Sequence, residues 1–174
     1  MRNELRSSYE ITLVAILSAI AIVGRVAVQA LPNIQPATFI IVIGGIIFGR
    51  RVGVELGLVI AIVSGLLTGL GSWTLFQIAG WALVGFISGY IGEDSPKWLK
   101  AFWIVGSAFV FGFISSLSML VFVPFDMFLP LYLLGIPFDF YHALGNVIMA
   151  ATLPFVVPLL LRYREKGRKI SYVK

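Results

Sequence analysis

VGVELGLVIAIVSGLLTGL, Val52 to Leu70, carries a single charge at Glu55 and places a small residue at Gly53, Gly57, Ala61, Gly65 and Gly69. An interval of four keeps those positions on one face of a helix. A ridge of small side chains lets a second helix approach closely, which is how helices associate where lipid removes the hydrophobic driving force. The stretch reads as a membrane span with a built-in packing face.

Composition carries the same reading to the whole chain. Of 174 residues, 59% are hydrophobic and 12% charged, and the mean hydropathy is +0.99. A soluble domain of this length has too little interior to hide that much apolar surface, so lipid is the solvent for most of it. Eight Pro and eighteen Gly predict several spans separated by tight turns. The absence of Cys excludes a disulfide, a thiolate metal site and a cysteine nucleophile. The first apolar run is longer than a signal-peptide core, lacks a small-residue cleavage site and leads into further runs, so it is expected to be a retained span.

Outward from Val52, Arg50 and Arg51 mark a membrane surface, and before them span 2, about Ala37 to Gly49, is apolar but short. At 1.5 Å per residue it covers only about 20 Å. It is either a short crossing helix in locally thinned membrane or a re-entrant one. Span 1, about Ile11 to Leu31, is long enough to cross a core of roughly 30 Å and ends at a turn, LPNIQP, framed by Pro32 and Pro36. Beyond Leu70, span 4 covers about Leu75 to Ile91, with Gly85 and Gly89 on one face, and EDSPKWLK is a polar turn. Span 5 covers about Ala101 to Val123. A Pro-rich connection, PFDMFLPLYLLGIP, leads to span 6, about Phe138 to Leu161, and a basic tail, 162–174, expected to fray.

The expected fold is therefore a single all-α membrane domain, 1–174, of six transmembrane helices. Six spans place Arg2, Arg6, Arg50, Arg51, Lys97, Lys100, Arg162, Arg164, Lys166, Arg168, Lys169 and Lys174 on one side, twelve of the thirteen basic residues. The positive-inside rule makes that side, with both termini, cytoplasmic. The net charge of +5 thus follows the membrane surface and does not indicate nucleic acid. Re-entry of span 2 would move Arg50 and Arg51 outside and weaken the asymmetry. Six spans also bring three loops to the outer face: Leu31 to Ala37, Leu70 to Leu75 and Pro124 to Pro137.

The polar residues gather toward that face. GSWTLFQIAGW, Gly71 to Trp81, has no charge but two Trp, a Thr and a Gln. Trp73, Gln77 and Trp81, spaced by four, line one face of span 4. An interfacial aromatic belt accounts for Trp73 but not for a Gln in the same row, so Gln77 and Trp81, with Thr74, are read as lining a ligand pocket. Arg25 lies in the outer third of span 1. An ionisable residue in a span costs at least about 2.5 kcal/mol and is a functional hypothesis by default. Arg25 is placed to clamp a carboxylate or phosphate, and equally to snorkel to the interface or to pair with Asp139 or Asp126. Glu55, four residues after Arg51, is expected in an ordinary helical ion pair.

Asp139, Tyr141, His142 and Asn146 cluster at the outer end of span 6, with His142 and Asn146 one turn apart. A catalytic role needs a nucleophile, and the GxSG pattern of intramembrane serine proteases is absent. A metal needs a second strong ligand at helical spacing, and His142 is the only His, so neither metal nor resident cofactor is expected. Bonding to a neighbouring helix and contact with a ligand are the two readings of His142. No phosphate-binding loop is present, so uphill transport would need a partner that hydrolyses ATP. On the inner half of span 1, Ala15 and Ala19 form a small-xxx-small pair with Ser18 beside them. That pair suits packing within the chain or docking to another membrane protein.

The chain resembles the substrate-binding S component of an energy-coupling factor (ECF) transporter. The likeness covers its whole length: size, six spans, and polar residues under three outer loops. Ala15-Ile16-Leu17-Ser18-Ala19 is similar to the AxxxA motif by which the family's first helix contacts the transmembrane coupling subunit. Pro32-Asn33-Ile34-Gln35-Pro36 together with Gly71-Ser72-Trp73-Thr74-Leu75-Phe76-Gln77 and Trp81 resembles a PNxQP and GxWTxxQ pattern of S components assigned to cobalamin. The resemblance implies a subunit of a prokaryotic plasma membrane. It would bind a vitamin outside, dock on the coupling subunit and topple to release inside, driven by two partner ATPase subunits. Asn33, Gln35, Gln77 and Asn146 would meet the peripheral amides of a corrinoid, and the Trp side chains its apolar faces. Arg25 equally suits an anionic vitamin such as biotin, pantothenate or a flavin phosphate. Two rivals are a membrane enzyme acting on lipid or peptide with His142 and Asp139 as acid and base, and a channel or self-contained secondary transporter, which would show an inverted repeat or broken helices meeting at the midplane. No repeat is evident between the halves.

Overall fold

The computed structural model describes residues 8–172. Of the basic residues assigned to one surface, Arg2, Arg6 and Lys174 lie outside the described residues, as do the side chains of Arg168 and Lys169. The described residues form seven α-helices and no strand: α1 Ser8–Ala27, α2 Pro36–Phe48, α3 Arg50–Thr68, α4 Ser72–Ile91, α5 Lys97–Ser116, α6 Phe125–Ala150 and α7 Leu153–Tyr172. A short 3-10 helix, Leu117–Val121, extends α5. Five helical segments, namely α1, α3, α4, α5 with its extension, and α6, are long and apolar enough to cross a membrane, and α2 is a shorter apolar helix.

The short helix is the centre of the bundle. Eleven of the thirteen residues of α2 are buried, as expected of a helix that is apolar all round. Neighbouring helices enclose it, so its length need not match the lipid. Pro36 opens it at a position where the missing N–H costs nothing. Gly49 alone separates it from α3, at φ +92°, a left-handed conformation that a side chain would strain.

The small-residue ridge packs as its spacing predicts. A Cβ on Gly53 would strike the carbonyl of Gly85, one on Gly85 would strike the backbone of Gly53, and one on Gly57 would meet the backbone of Trp81. The α3 and α4 backbones therefore touch along both glycine rows. Gly69 lies beyond this contact, at the C-cap of α3.

The boundaries correct several expectations. The first helix ends at Ala27 rather than Leu31, and Val28 to Leu31 turn into the LPNIQP segment. The fourth starts at Ser72, because the Thr74 hydroxyl accepts the Gly71 N–H at 3.0 Å and satisfies an otherwise orphaned donor. The Pro-rich connection 124–137 is not a loop. From Phe125 it is helical and continuous with Ala150, and Pro130 and Pro137 each withhold one backbone hydrogen bond from the helix. The stretch expected as one sixth span, 138–161, is instead divided between α6 and α7 by a turn at Ala151 and Thr152. Its tail does not fray at Arg162 but continues as α7 to Tyr172.

The α7 helix is tied to the end of the bundle that bears Arg50. Arg164 donates to the Ile47 carbonyl at 3.0 Å and pairs with Glu93 at 2.5 Å. Tyr9 and Tyr163 stack at 3.9 Å and exchange hydroxyl-to-carbonyl hydrogen bonds. Lys100 donates to the Glu93 carbonyl. The N-termini of α1, α3 and α5 thus meet the C-termini of α2 and α4 at one basic end. Arg51 and Glu55 form the expected pair there, at 3.2 Å.

Candidate functional site

Toward the opposite end, polar side chains from six helices, α1 to α6, meet inside the bundle. Thr38, two residues after the LPNIQP segment, is fully buried in α2. Its hydroxyl accepts the Trp81 Nε1–H of α4 at 2.8 Å and lies 2.8 Å from His142 Nε2 of α6. Phe111 of α5 completes the contact, stacked on Trp81 at 4.7 Å and edge-on to His142 at 5.4 Å. Trp81 and His142 are both 0% exposed. Thr38 was not singled out in the sequence, where it is one hydroxyl in an apolar run.

Arg25 joins the cluster from α1. Its Nη1 donates to Ser64 Oγ of α3 at 2.6 Å, Nη2 reaches Gln77 Oε1 at 3.4 Å, and the guanidinium lies 4.8 Å from the centre of the Trp81 ring. Ser64 donates its own hydrogen to the Ile60 carbonyl, so toward Arg25 it is an acceptor. The side chain neither snorkels outward nor pairs with Asp139 or Asp126. Among the described residues, no carboxylate lies within ion-pair distance of it. Asp139 is buried with its carboxylate against Gly112 of α5, in the space a side chain there would fill.

The row Trp73, Gln77, Trp81 runs from surface to core. Trp73 is 47% exposed, Gln77 half-buried and Trp81 fully buried. Thr74 is buried and spent on the Gly71 N–H. Asn33, at φ 51°, a conformation Asn tolerates, donates to the Phe138 carbonyl at 2.8 Å and accepts from Gln35 Nε2 at 2.6 Å. These bonds pin the LPNIQP segment to α6, where Ile34 sits over Gly145. Asn146 is fully buried and donates to the Ile104 carbonyl at 3.0 Å and to Ser107 at 3.3 Å. Tyr141 is not brought into the cluster: it is half exposed, off the Asp139, His142, Asn146 stripe of α6. His142 takes Thr38 as its partner and not Asp139. Three buried polar atoms here have no hydrogen-bond partner: His142 Nδ1, Asn146 Oδ1 and Gln35 Oε1.

The expected docking residues divide. Ala15 and Ala19 are exposed on α1, among Ile11, Ile16, Ile20 and Val23, whereas Ser18 is 2% exposed and turned into the bundle. Ser18 is thus not on the outward face with the two alanines.

A bundle of apolar helices, five of them long enough to cross a membrane, with one basic end and a buried polar cluster toward the other, is the architecture of a multi-pass membrane protein. The chain belongs to the ECF transporter, substrate-specific component family, whose model matches residues 10–162. Members are the substrate-binding subunits of transporters rather than catalytic enzymes, and they work with coupling and ATPase subunits in a membrane module. No curated protein and no solved structure matches the sequence.

Proposed function

We propose that this chain is a vitamin-binding S component of a prokaryotic plasma membrane, with cobalamin or a related corrinoid as its best substrate. It crosses the membrane six times with both termini cytoplasmic, the last crossing shared by α6 and α7. Seven described basic residues, Arg50, Arg51, Lys97, Lys100, Arg162, Arg164 and Lys166, lie on the elements that meet at one end, as the positive-inside rule requires of a cytoplasmic face.

The observation that carries the substrate reading is the 2.8 Å bond from Trp81 to Thr38. It joins the helix that follows Pro-Asn-Ile-Gln-Pro to the one that begins in Gly-Ser-Trp-Thr-Leu-Phe-Gln. The two helices are far apart in sequence, and the bond makes them one packed unit. Trp73 and Gln77, exposed and half-buried on that unit, present an apolar face and an amide to a ligand. Asn33, Gln35 and Asn146 add amide groups, and His142 and Trp81 hold the floor. Ala15 and Ala19 supply the close-approach face for the coupling subunit, and docking there precedes toppling and inward release.

Titration calorimetry on the purified, detergent-solubilised protein tests this reading. Cobalamin, biotin, riboflavin and pantothenate are titrated without ATP. Saturable cobalamin binding that is lost in Trp73→Ala and in Gln77→Ala is expected. Tight binding of another vitamin would retain the S-component role and replace the substrate. Arg25, a cation with neutral partners, suits an anionic vitamin such as biotin or pantothenate as well as the phosphodiester of a corrinoid, and is the observation that carries this second reading.

A further inference from the structure

We infer that the ligand of this site carries an anionic group, a carboxylate or a phosphate, and that the Arg25 guanidinium holds it. The inference rests on the vitamin-binding reading and names the class of vitamin within it.

The argument begins with what Arg25 touches. Its three contacts, Ser64, Gln77 and the Trp81 ring, are all neutral. Two acids are available toward the same end of the bundle, yet Asp139 is lodged against Gly112 and Asp126 is exposed in the first turn of α6. The fold therefore brings a permanent cation among buried groups and leaves its charge without a counter-ion from the described residues. A guanidinium has five N–H donors in one plane. Ser64 takes one at 2.6 Å, and Gln77 takes a second at 3.4 Å, the outer limit of a hydrogen bond.

The Trp81 contact holds the cation in place and leaves its remaining donors free. The guanidinium carbon lies over that ring, 4.8 Å from its centre, a contact with the π face that uses up none of the donors as a hydrogen bond. A planar edge of N–H groups is matched by the paired oxygens of a carboxylate or phosphate. Trp81 is itself fixed by Thr38 and Phe111, so the cation is preorganised rather than loose. Gln77, in contact with Arg25 and one turn from Trp73, carries the same surface-to-interior row on which the ligand is proposed to rest. A corrinoid satisfies the requirement through the phosphodiester of its nucleotide loop. Biotin and pantothenate satisfy it through their carboxylates.

The test uses the full chain in detergent and pairs each anion-bearing vitamin with a counterpart that lacks the anion: biotin with biotin amide, pantothenate with panthenol, and cobalamin with cobinamide. Cobinamide lacks the phosphodiester together with the rest of the nucleotide loop, so for this last pair the response to Arg25→Gln decides. For whichever pair binds, the anionic member is expected to bind at least tenfold tighter. Arg25→Gln is expected to remove that preference by weakening the anionic member alone. Equal binding of both members, or equal weakening of both by Arg25→Gln, would overturn the inference. Phospholipid that co-purifies with the wild type and is lost in Arg25→Gln, with vitamin affinities unchanged, would assign the cation to a lipid headgroup and also overturn it. Tight binding of riboflavin, which carries no anion, would keep the vitamin-binding reading and overturn the inference. Failure of riboflavin and of every pair to bind would sink the vitamin-binding reading, and the ligand-free melting temperature then judges Arg25. An unchanged or raised value for Arg25→Gln is expected of a cation awaiting a ligand, and a marked drop would show a structural role instead.

Discussion

Trp81 and His142, contributed by α4 and α6, meet at one hydroxyl: both ring nitrogens lie 2.8 Å from Thr38 Oγ1. Three helices are thereby joined at one fully buried atom. A donor or acceptor buried without its partner costs about 1 to 3 kcal/mol. Thr38→Val keeps the shape and removes the hydroxyl, so it is expected to lower the thermal midpoint in detergent by a free energy in that range. Thr38→Ser should restore most of it. Equal stability of the Val and Ser variants would show that the hydroxyl holds nothing.

The contact between α3 and α4 leaves no room for a side chain at Gly53 or Gly85. Gly85→Ala is expected to cost about 1 to 3 kcal/mol, as overpacking does, or to prevent assembly. Gly106 of α5 is the control, since a Cβ there meets nothing within 4 Å. Gly106→Ala is expected to be neutral or to stabilise by up to about 1 kcal/mol, because the unfolded chain loses freedom. Melting curves of the two variants should therefore move in opposite directions or differ by several degrees.

Ala15→Leu and Ala19→Leu place bulk on the exposed face of α1, where the described residues offer nothing to clash with. Folding and ligand affinity are expected to stay within twofold of the wild type. Co-purification with the coupling subunit and ATP-driven uptake are expected to fall at least tenfold. Intact uptake with both substitutions present would move the docking face elsewhere.

At the basic end, the Arg164 pair with Glu93 is partly exposed, 27% and 35% for the two side chains. Such a pair is worth less than about 1 kcal/mol, so Glu93→Gln should change stability little and lose even that effect in high salt. Arg164→Ala also frees the Ile47 carbonyl at the C-terminal end of α2. It is expected to cost about 1 kcal/mol more than Glu93→Gln. Chemical denaturation at low and high salt separates the two contributions.

Much of this architecture was legible in the residues. The interval of four in Gly53, Gly57 and Ala61 located the α3 face that α4 meets, and Arg51 with Glu55 announced its own pair. The connection 124–137 was misread because its two internal prolines mark turns in most chains, whereas here a helix absorbs both. Pro158 is likewise inside α7. The break between α6 and α7 falls at Ala151 and Thr152, just before Pro154, which sits in the first turn of α7 where its missing N–H is tolerated.

The sequence by itself determined that lipid is the solvent, which faces of α3 and α4 are narrow, and at which surface the basic residues collect. Those are local or compositional properties, set by hydropathy and a helical period that any single segment carries. Only the tertiary structure decided that Arg25 turns to Ser64 and Gln77 rather than to a carboxylate. It likewise decided that Thr38, 43 positions from Trp81 and 104 from His142, is their shared partner. Such meetings depend on the depth and rotation of one helix against another. Those are fixed by how closely the glycine faces pack, and no periodicity within a single helix encodes them.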